Sequence, residues 1–291
     1  MTETYELNFM HVDPEAICGI TNKKYTAVNT MLSFVLGAVF TGVFYGILWP
    51  LHRMHRYMMV DMFFHGGVEN RSTIPYYTML LTWWCIAFIF IKWLKLRAQR
   101  KSFQVQVLPD TPGFALSRMN ASQVIGNIHA RVFMSERFMP LWRIECALSN
   151  LNNIGKVSEI SSLMKDLADN DRDFMESSYT LPKGLIWAIP VLGFIGTVLG
   201  LSQAVGGFGS VVASGADLET LKTSLGGVTS GLGTAFETTL IALVAALFVQ
   251  LLMTMLSQRE EEFLDACADF CYRNVTSRLT MMDLAEGVDE T

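Results

Sequence analysis

Two glycine-rich apolar stretches decide the fold: PVLGFIGTVLGL at residues 190–201 and GLGTAFETTLIAL at residues 231–243. In the first, small side chains and one hydroxyl share one helix face, namely Gly193, Thr197, Gly200 and Ala204. The second repeats this pattern at Gly231, Ala235, Thr239, Ala242 and Ala246. In lipid, helices associate by packing rather than by hydrophobicity, and small side chains let two backbones approach closely. The pattern therefore predicts two membrane helices with small-residue faces.

The composition of the whole chain supports a membrane location. Of its 291 residues 51% are hydrophobic and only 17% are charged, whereas about 25% are charged in a typical soluble domain. The net charge of −5 argues against a nucleic-acid-binding protein, which needs a concentrated basic face. The five cysteines form no C-x-x-C pair, so neither a disulfide framework nor a zinc site is indicated.

Four stretches without a full charge, residues 25–51, 72–91, 184–216 and 238–258, are each long enough to cross a bilayer as a helix. We predict an all-α membrane protein with four transmembrane helices and cytoplasmic helical extensions. The predicted segments are an N-terminal tail (1–29), span one (30–51), an external loop (52–74), span two (75–96), a central cytoplasmic segment (97–183), span three (184–205), an external loop (206–229), span four (230–257) and a C-terminal helix (258–291). Span three is predicted to end at residue 205 because glycines follow at positions 206, 207 and 209.

The distribution of lysine and arginine predicts the orientation. If both termini lie on one side, that side holds 18 of these residues and the other side holds 4. Because positive residues favour the cytoplasm, both termini and the central segment are predicted to be cytoplasmic. The strongest contribution is a cluster at the end of span two, directly after the uncharged stretch 72–91, at Lys92, Lys95, Arg97, Arg100 and Lys101.

Outside the bilayer the sequence also indicates helices. Apolar residues recur at helical spacing between Ile154 and Met164, and a chain break is expected at residues 109–113, which read PDTPG. After span four, residues on one face predict that the same helix continues: Phe263, Cys267, Phe270 and Asn274. Spans one and two carry large aromatic side chains that we expect to face lipid: Phe34, Phe40, Phe44, Tyr45, Trp49, Trp83, Trp84, Phe88 and Phe90.

The hydroxyls of Thr197 and Thr239 admit two interpretations. They can line a narrow path for an ion, or they can bond carbonyls of their own helices while the small residues merely pack. Glu237 is the acid within the fourth apolar region, and an acid in a span is a functional hypothesis by default. However, the 21 uncharged residues that follow it suffice to cross the bilayer, which favours a place at the external mouth. A titrating carboxylate at mid-depth would then come from another chain.

These residues resemble a known family. Leu181 and Pro182 followed by residues 186–201 resemble the LGxxGTVxG helix of the MotA/TolQ/ExbB proton-channel family, and residues 231–243 resemble its final pore helix. The resemblance covers 181–259, about a third of the chain. The preceding layout of two spans and a cytoplasmic segment is closer to MotA than to the three-span TolQ and ExbB.

The resemblance implies a motor stator subunit of the bacterial inner membrane. Five copies would form a ring around a dimer of a single-span partner similar to MotB, TolR or ExbD, whose membrane Asp binds the ion. Thr197 and Thr239 match the family's threonines, and Thr238 is adjacent to them. The small residues expected to line the pore are Gly193, Gly196, Gly200, Ala235, Ala242 and Ala246. Thr234 falls where some relatives carry a carboxylate, so the resemblance transfers no role to Glu237, which we retain only as a candidate ion-path residue. No cofactor is expected, and the transported ion is expected to be H⁺ rather than Na⁺.

Other classes of protein remain alternatives. A non-conducting scaffold or signalling protein would need no single-span partner. An intramembrane enzyme is disfavoured because no histidine lies within the spans, and a transporter would be expected to show repeats or broken helices. His52, His55 and His65 are expected to be polar loop residues rather than a metal site, and Cys267 and Cys271 to be buried by packing. Flagellar drive, outer-membrane energisation, gliding and phage defence are all open as the driven process.

Overall fold

A computed structural model describes residues 5–17, 19, 24–54, 58–64, 73–108, 116–151, 157–215 and 217–279. The helices are α1 Phe9–Val12, α2 Pro14–Ile17, α3 Thr30–Arg53, α4 Met58–Asp61, α5 Ile74–Arg100, α6 Arg118–Arg131, α7 Met139–Asn150, α8 Val157–Ser177, α9 Thr180–Ala213 and α10 Leu218–Asn274. Short 3₁₀ helices lie at Lys101–Gln104, Ser135–Arg137 and Thr276–Arg278. Two strands, β1 Leu7–Asn8 and β2 Val132–Phe133, pair in parallel with Leu7 opposite Val132.

Within the described residues, four helical stretches are long and apolar enough to cross a membrane, those containing α3, α5, α9 and α10. The predicted all-α membrane class is therefore confirmed. The predicted helical character of the central segment is also confirmed by α6, α7 and α8, and α10 continues to Asn274 as predicted from its apolar spacing. The chain break expected at residues 109–113 lies outside the described residues.

The second predicted loop, residues 206–229, is mostly wrong. Helix α9 runs through the glycines to Ala213, and α10 begins at Leu218, so the connection is only a few residues long. It includes Gly215, whose φ of +67° lies in the left-handed region that glycine adopts without strain. A helical glycine costs about 1 kcal/mol relative to alanine, and these two long helices tolerate that cost.

The described chain divides into two compact units. We call residues 30–90 and 179–255 the span unit, because they include most of the four apolar stretches. We call residues 1–29, 91–178 and 256–291 the terminal unit, because it contains both ends of the chain.

The terminal unit has an apolar core with charged groups buried at its edges. Its core includes Leu7, Phe9, Ala16, Val124, Ile128, Phe138, Leu141, Ile144, Leu148, Cys271 and Val275. The N-terminal segment therefore belongs to a packed core, although the sequence indicated only a tail. The predicted packing of the cysteines is confirmed, since Cys267 and Cys271 are both buried.

In the span unit, α3 and α5 cross closely at Gly37. A Cβ atom added there would lie 2.5 Å from Cα of Trp84, and Nε1 of Trp84 donates a hydrogen bond to Oγ of Ser33 at 3.1 Å. The expectation that every large aromatic of spans one and two faces lipid is wrong for Phe88, which is buried. Several others contact one another, for example Phe40 and Trp83, whose rings meet edge to face as aromatic pairs prefer.

Candidate functional site

The small-residue faces of α9 and α10 pack against each other within one chain. A Cβ atom added at Gly193 would lie 2.5 Å from Cβ of Ala242, and one added at Gly200 would lie 3.0 Å from Cβ of Ala235. Because the residue number rises along one helix as it falls along the other, the helices are antiparallel. The predicted close approach of two small-residue helices thus occurs between neighbouring segments of the same chain.

The hydroxyls of Thr197 and Thr239 meet at this helix contact. The two Oγ1 atoms are in hydrogen-bond contact with each other. Thr239 also donates to the carbonyl of Gly193, 3.0 Å away on the opposite helix. Oγ1 of Thr197 lies 3.2 Å from the carbonyl oxygen of Gly193 on its own helix and 3.3 Å from that of Ala235 on α10. Among the described contacts, bonding within a helix is therefore realised only for Thr197, and the remaining bonds run between the two helices. The ion path stays a prediction.

A count of hydrogens shows that this cluster is rich in acceptors. Each threonine hydroxyl carries one hydrogen and two lone pairs, and a carbonyl oxygen carries only lone pairs. The carbonyls of Gly193 and Ala235 also accept backbone N–H groups of their own helices, and Ala235 accepts the hydroxyl of Thr238 as well. The excess of acceptors therefore lies on the two threonine hydroxyls, which together carry four lone pairs and two hydrogens. Such an uncharged, oxygen-only cluster suits a hydrogen-bond donor or a small cation supplied from outside the chain.

Thr238 has a different environment from its neighbour Thr239. It is buried and donates to the carbonyl of Ala235 at 2.8 Å. A Cβ atom added at Gly196 would lie 2.6 Å from its Oγ1, so Thr238 packs against the backbone of α9 at that glycine. The structure therefore brings Thr238 into the helix contact.

Glu237 lies in the interior of α10, well after the helix begins at Leu218, and is half-buried. Its predicted place at the external mouth stays a prediction. Ala246 is buried and joins Ala242 in an apolar cluster with Met79 and Ile189, so it contributes to packing between helices.

Other faces of α9 and α10 remain apolar and exposed in the single chain. Trp187 is 73% exposed and Phe194 is 66% exposed on α9, and Phe236 is 61% exposed on α10. Soluble monomers seldom expose contiguous apolar surface of this kind, but lipid or neighbouring chains would cover it in a membrane.

The span unit also contains an apolar groove of about 370 Å³ between α3, α5, α10 and the residues that directly follow α4. Its lining includes Phe44, Phe63, Trp83, Leu240 and Phe248. The hydroxyl of Thr82, which also lines it, is bonded to the carbonyl of Thr78 at 2.7 Å. The groove is thus a hydrocarbon surface and has no part in the oxygen cluster.

Of the three histidines considered as a possible metal site in the first external loop, the structure describes only His52. His52 lies 2.7 Å from a carboxylate oxygen of Asp61 and stacks on the ring of Phe64. His55 and His65 lie outside the described residues. Among the residues that the structure describes, no group of three histidine, cysteine or acidic side chains is placed to hold a metal ion.

Sequence reasoning missed the buried charges of the terminal unit. Lys92 and Lys95 were interpreted only as an orientation signal, yet both are fully buried. Residues three apart lie on the same face of a helix, and the apolar residues Ile91 and Leu96 stand next to these two lysines in the sequence. This pattern could have indicated that the lysine face of α5 is covered by other parts of the chain.

Arg143 is also buried, and its Nε donates to Asp171 at 2.6 Å. Burial and the nearby Asp171 together raise the pKa of Tyr25, so its phenol remains protonated.

These features define a multi-pass membrane protein with two antiparallel, glycine-packed helices that share a pair of hydroxyls. Residues 143–268, which include α8, all of α9 and most of α10, match the MotA/TolQ/ExbB proton channel family. This match confirms the resemblance found in the sequence and extends it toward the N-terminus. The match covers less than half of the chain, and the family is described as one of proton channels. No curated protein and no solved structure matches the chain significantly.

Proposed function

We propose that this chain is the ring-forming subunit of a bacterial inner-membrane channel that converts proton flow into rotation or other mechanical work. Five copies surround a dimer of a single-span partner similar to MotB, ExbD or TolR. The observation that carries the proposal is the oxygen cluster of Thr197 and Thr239, which lies inside the segment that matches a proton-channel family.

The cluster complements an acid on the partner helix. Each threonine hydroxyl can turn its one hydrogen toward an ionised carboxylate, and its lone pairs can accept the O–H group of the protonated form. The exposed apolar surface on α9 and α10 offers room for further chains, which would share with lipid the covering of that surface.

The energy for movement comes from the membrane potential. One charge that crosses 100 mV gains about 2.3 kcal/mol. An ionised partner Asp is held beside the hydroxyls, and protonation removes the cost of moving it past apolar side chains. Val198 and Leu240, which follow Thr197 and Thr239 directly, are half exposed and provide such a surface.

The proposed orientation places both termini in the cytoplasm. It is supported by the excess of lysine and arginine, 18 against 4, on the side that holds the termini and the central segment.

The alternative function is a non-conducting scaffold. The close packing of Gly193 on Ala242 favours it, because that contact explains the small-residue faces without any ion. The two proposals differ in what the hydroxyls do.

The experiment replaces each hydroxyl by a methyl group. We expect Thr197→Val and Thr239→Val each to lower potential-driven proton flux at least tenfold, in liposomes that contain the chain and its single-span partner. Thr197→Ser and Thr239→Ser retain a hydroxyl, so both should conduct protons at close to the wild-type rate. The matched control is Thr254→Val, because Thr254 is an exposed α10 residue whose hydroxyl bonds only its own helix, at the carbonyl of Gln250, among the described contacts. Normal flux in both valine variants would exclude the hydroxyls from the ion path, and an inactive wild type that binds no partner would favour the scaffold.

A further inference from the structure

A second polar cluster lies in the terminal unit, centred on Lys92 and Glu260. Lys92 Nζ lies 3.0 Å from Oε1 of Glu260, 2.7 Å from Oγ of Ser178 and 3.3 Å from Oγ1 of Thr26. Thr26 in turn donates a hydrogen bond to Oε1 of Glu260. Lys92 and Glu260 are 0% and 2% exposed, so this is a buried site rather than a surface ion pair.

The four residues come from the chain segments that flank the four membrane spans. Thr26 and Ser178 come shortly before α3 and α9 begin. Lys92 is the first charged residue after the uncharged stretch 72–91, and Glu260 is the first acid after the uncharged stretch 238–258. In the proposed orientation, all four positions lie where the chain leaves or enters the bilayer on its cytoplasmic side.

One atom of the cluster has an open hydrogen-bonding position. Lys92 has three N–H groups and three oxygen neighbours, and the Thr26 hydroxyl both accepts from Lys92 and donates to Glu260. Oε1 of Glu260 therefore has two partners. Oε2 of Glu260 is buried and has no hydrogen-bond partner among the described residues. A buried polar atom left in this way needs an explanation, such as a water, an ion or a proton that binds there.

The charges around this atom select between these ligands. A metal cation would be repelled by the ammonium of Lys92, and an anion would be repelled by the carboxylate itself. The neighbouring Lys95 adds a second positive charge, which Glu15 and Asp13 neutralise at 2.5 Å and 3.9 Å. On α10 itself, Arg259 and Glu261 flank the site in sequence, and both side chains are exposed. The same ammonium opposes a proton, but a proton adds directly to the carboxylate and needs no coordination shell. A bound water would only complete the hydrogen bonding of Oε2, and the variants below separate that structural role from proton binding.

We propose that Glu260 is the cytoplasmic proton-binding group of the ion path. This inference rests on the proposed function. A proton that has crossed the apolar stretch forms an O–H bond with Oε2. That bond then breaks toward cytoplasmic water, with both electrons left on the carboxylate.

The test measures proton uptake into liposomes that contain the chain and its single-span partner, with an internal pH-sensitive dye and a potassium diffusion potential. We expect Glu260→Gln to lower flux at least tenfold, since the amide keeps the shape and an oxygen acceptor but binds no proton. Glu261→Gln, at the exposed neighbouring acid, should conduct like the wild type.

A double variant separates proton binding from a structural ion pair. Lys92→Met with Glu260→Met removes the two charges of the pair together, so it should assemble. If the pair is only structural, this variant conducts normally. If Glu260 binds the proton, flux stays at least tenfold low. Formate should then partly restore flux in Glu260→Ala, as a small acid can replace the missing carboxyl, whereas chloride should not.

The outcomes are distinct. Wild-type-like flux in Glu260→Gln or in the double variant overturns this inference and leaves the proposed function intact. If the wild type does not conduct with its partner, the proposed function fails and this inference fails with it.

Discussion

The span unit and the terminal unit bury polar groups in different ways. In the span unit, the polar groups between α9 and α10 are uncharged hydroxyls and carbonyls, brought together by glycines such as Gly193. In the terminal unit, full charges are buried, as in the pair of Arg143 with Asp171. An uncharged hydroxyl can be satisfied by one nearby carbonyl, whereas a buried charge needs a counter-charge as well.

This difference predicts how each unit responds to the loss of one partner. Removal of one partner from a buried ion pair leaves an uncompensated charge, which costs about 3–5 kcal/mol. Hydrogen bonds between membrane helices contribute much less, about 0.6 kcal/mol on average, because the separated helices also find partners. The terminal unit should therefore be the more sensitive of the two to single polar substitutions.

The largest effect is expected from Arg143→Met. Arg143 and Asp171 are 2% and 13% exposed, so the substitution leaves a carboxylate with little access to water. We expect the free energy of unfolding of the terminal unit to fall by about 3–5 kcal/mol. The measurement is denaturant unfolding in detergent, followed by the fluorescence of Trp142, which lies next to the substitution in sequence.

The matched control is Arg172→Met in the same unit. Arg172 pairs with Asp265 at 3.6 Å, but both side chains are mostly exposed, and such pairs contribute at most about 1 kcal/mol. An equal loss in the two variants would show that burial does not distinguish these pairs. The double variant Arg143→Met with Asp171→Leu should recover much of the loss, because it removes the stranded charge.

An intermediate effect is expected in the span unit from Gly37→Ala. The added methyl group would lie 2.5 Å from the backbone of Trp84, which cannot move aside as a flexible side chain can. Overpacking of this kind costs about 1–3 kcal/mol. Gly42→Ala in the same helix is the control, because nothing lies within 4 Å of an added methyl group there. It should be neutral or stabilise the helix by up to about 1 kcal/mol. Equal stability of the two variants in detergent would contradict the close crossing.

The contrast between the units also explains what the sequence could predict. The small-residue faces of α9 and α10 are visible because a helix places every third or fourth residue on one side. The two predicted faces do meet, for example at Gly193 and Ala242. Uncharged length likewise predicted the four apolar helices. Both signals depend only on residues that are close together in the sequence, so the sequence of one chain is enough to find them.

The missed features depend on residues that are distant in the sequence. Lys92 seemed an ordinary positive residue at a membrane border, and only its contact with Glu260, far along the chain, makes it a buried site. The pairing of β1 with β2 joins residues 7–8 to residues 132–133 in the same way. The error at the glycines around residue 207 has a different origin, because local propensity was given more weight than the continuity of a long helix.

The smallest effect is expected for the hydrogen bond from Trp84 to Ser33, which joins α5 to α3 at 3.1 Å. Trp84→Phe removes the donor but retains a ring beside Phe34, and Ser33→Ala removes the acceptor. A double-mutant cycle isolates their coupling, since Ser33 also bonds the carbonyl of Thr30 and that loss cancels between the two arms. We expect a coupling energy of about 0.6 kcal/mol in reversible unfolding from mixed micelles. A coupling of several kcal/mol would mean that an uncharged pair in the span unit matters as much as the buried charges of Arg143 and Asp171, and the distinction between the two units would then fail.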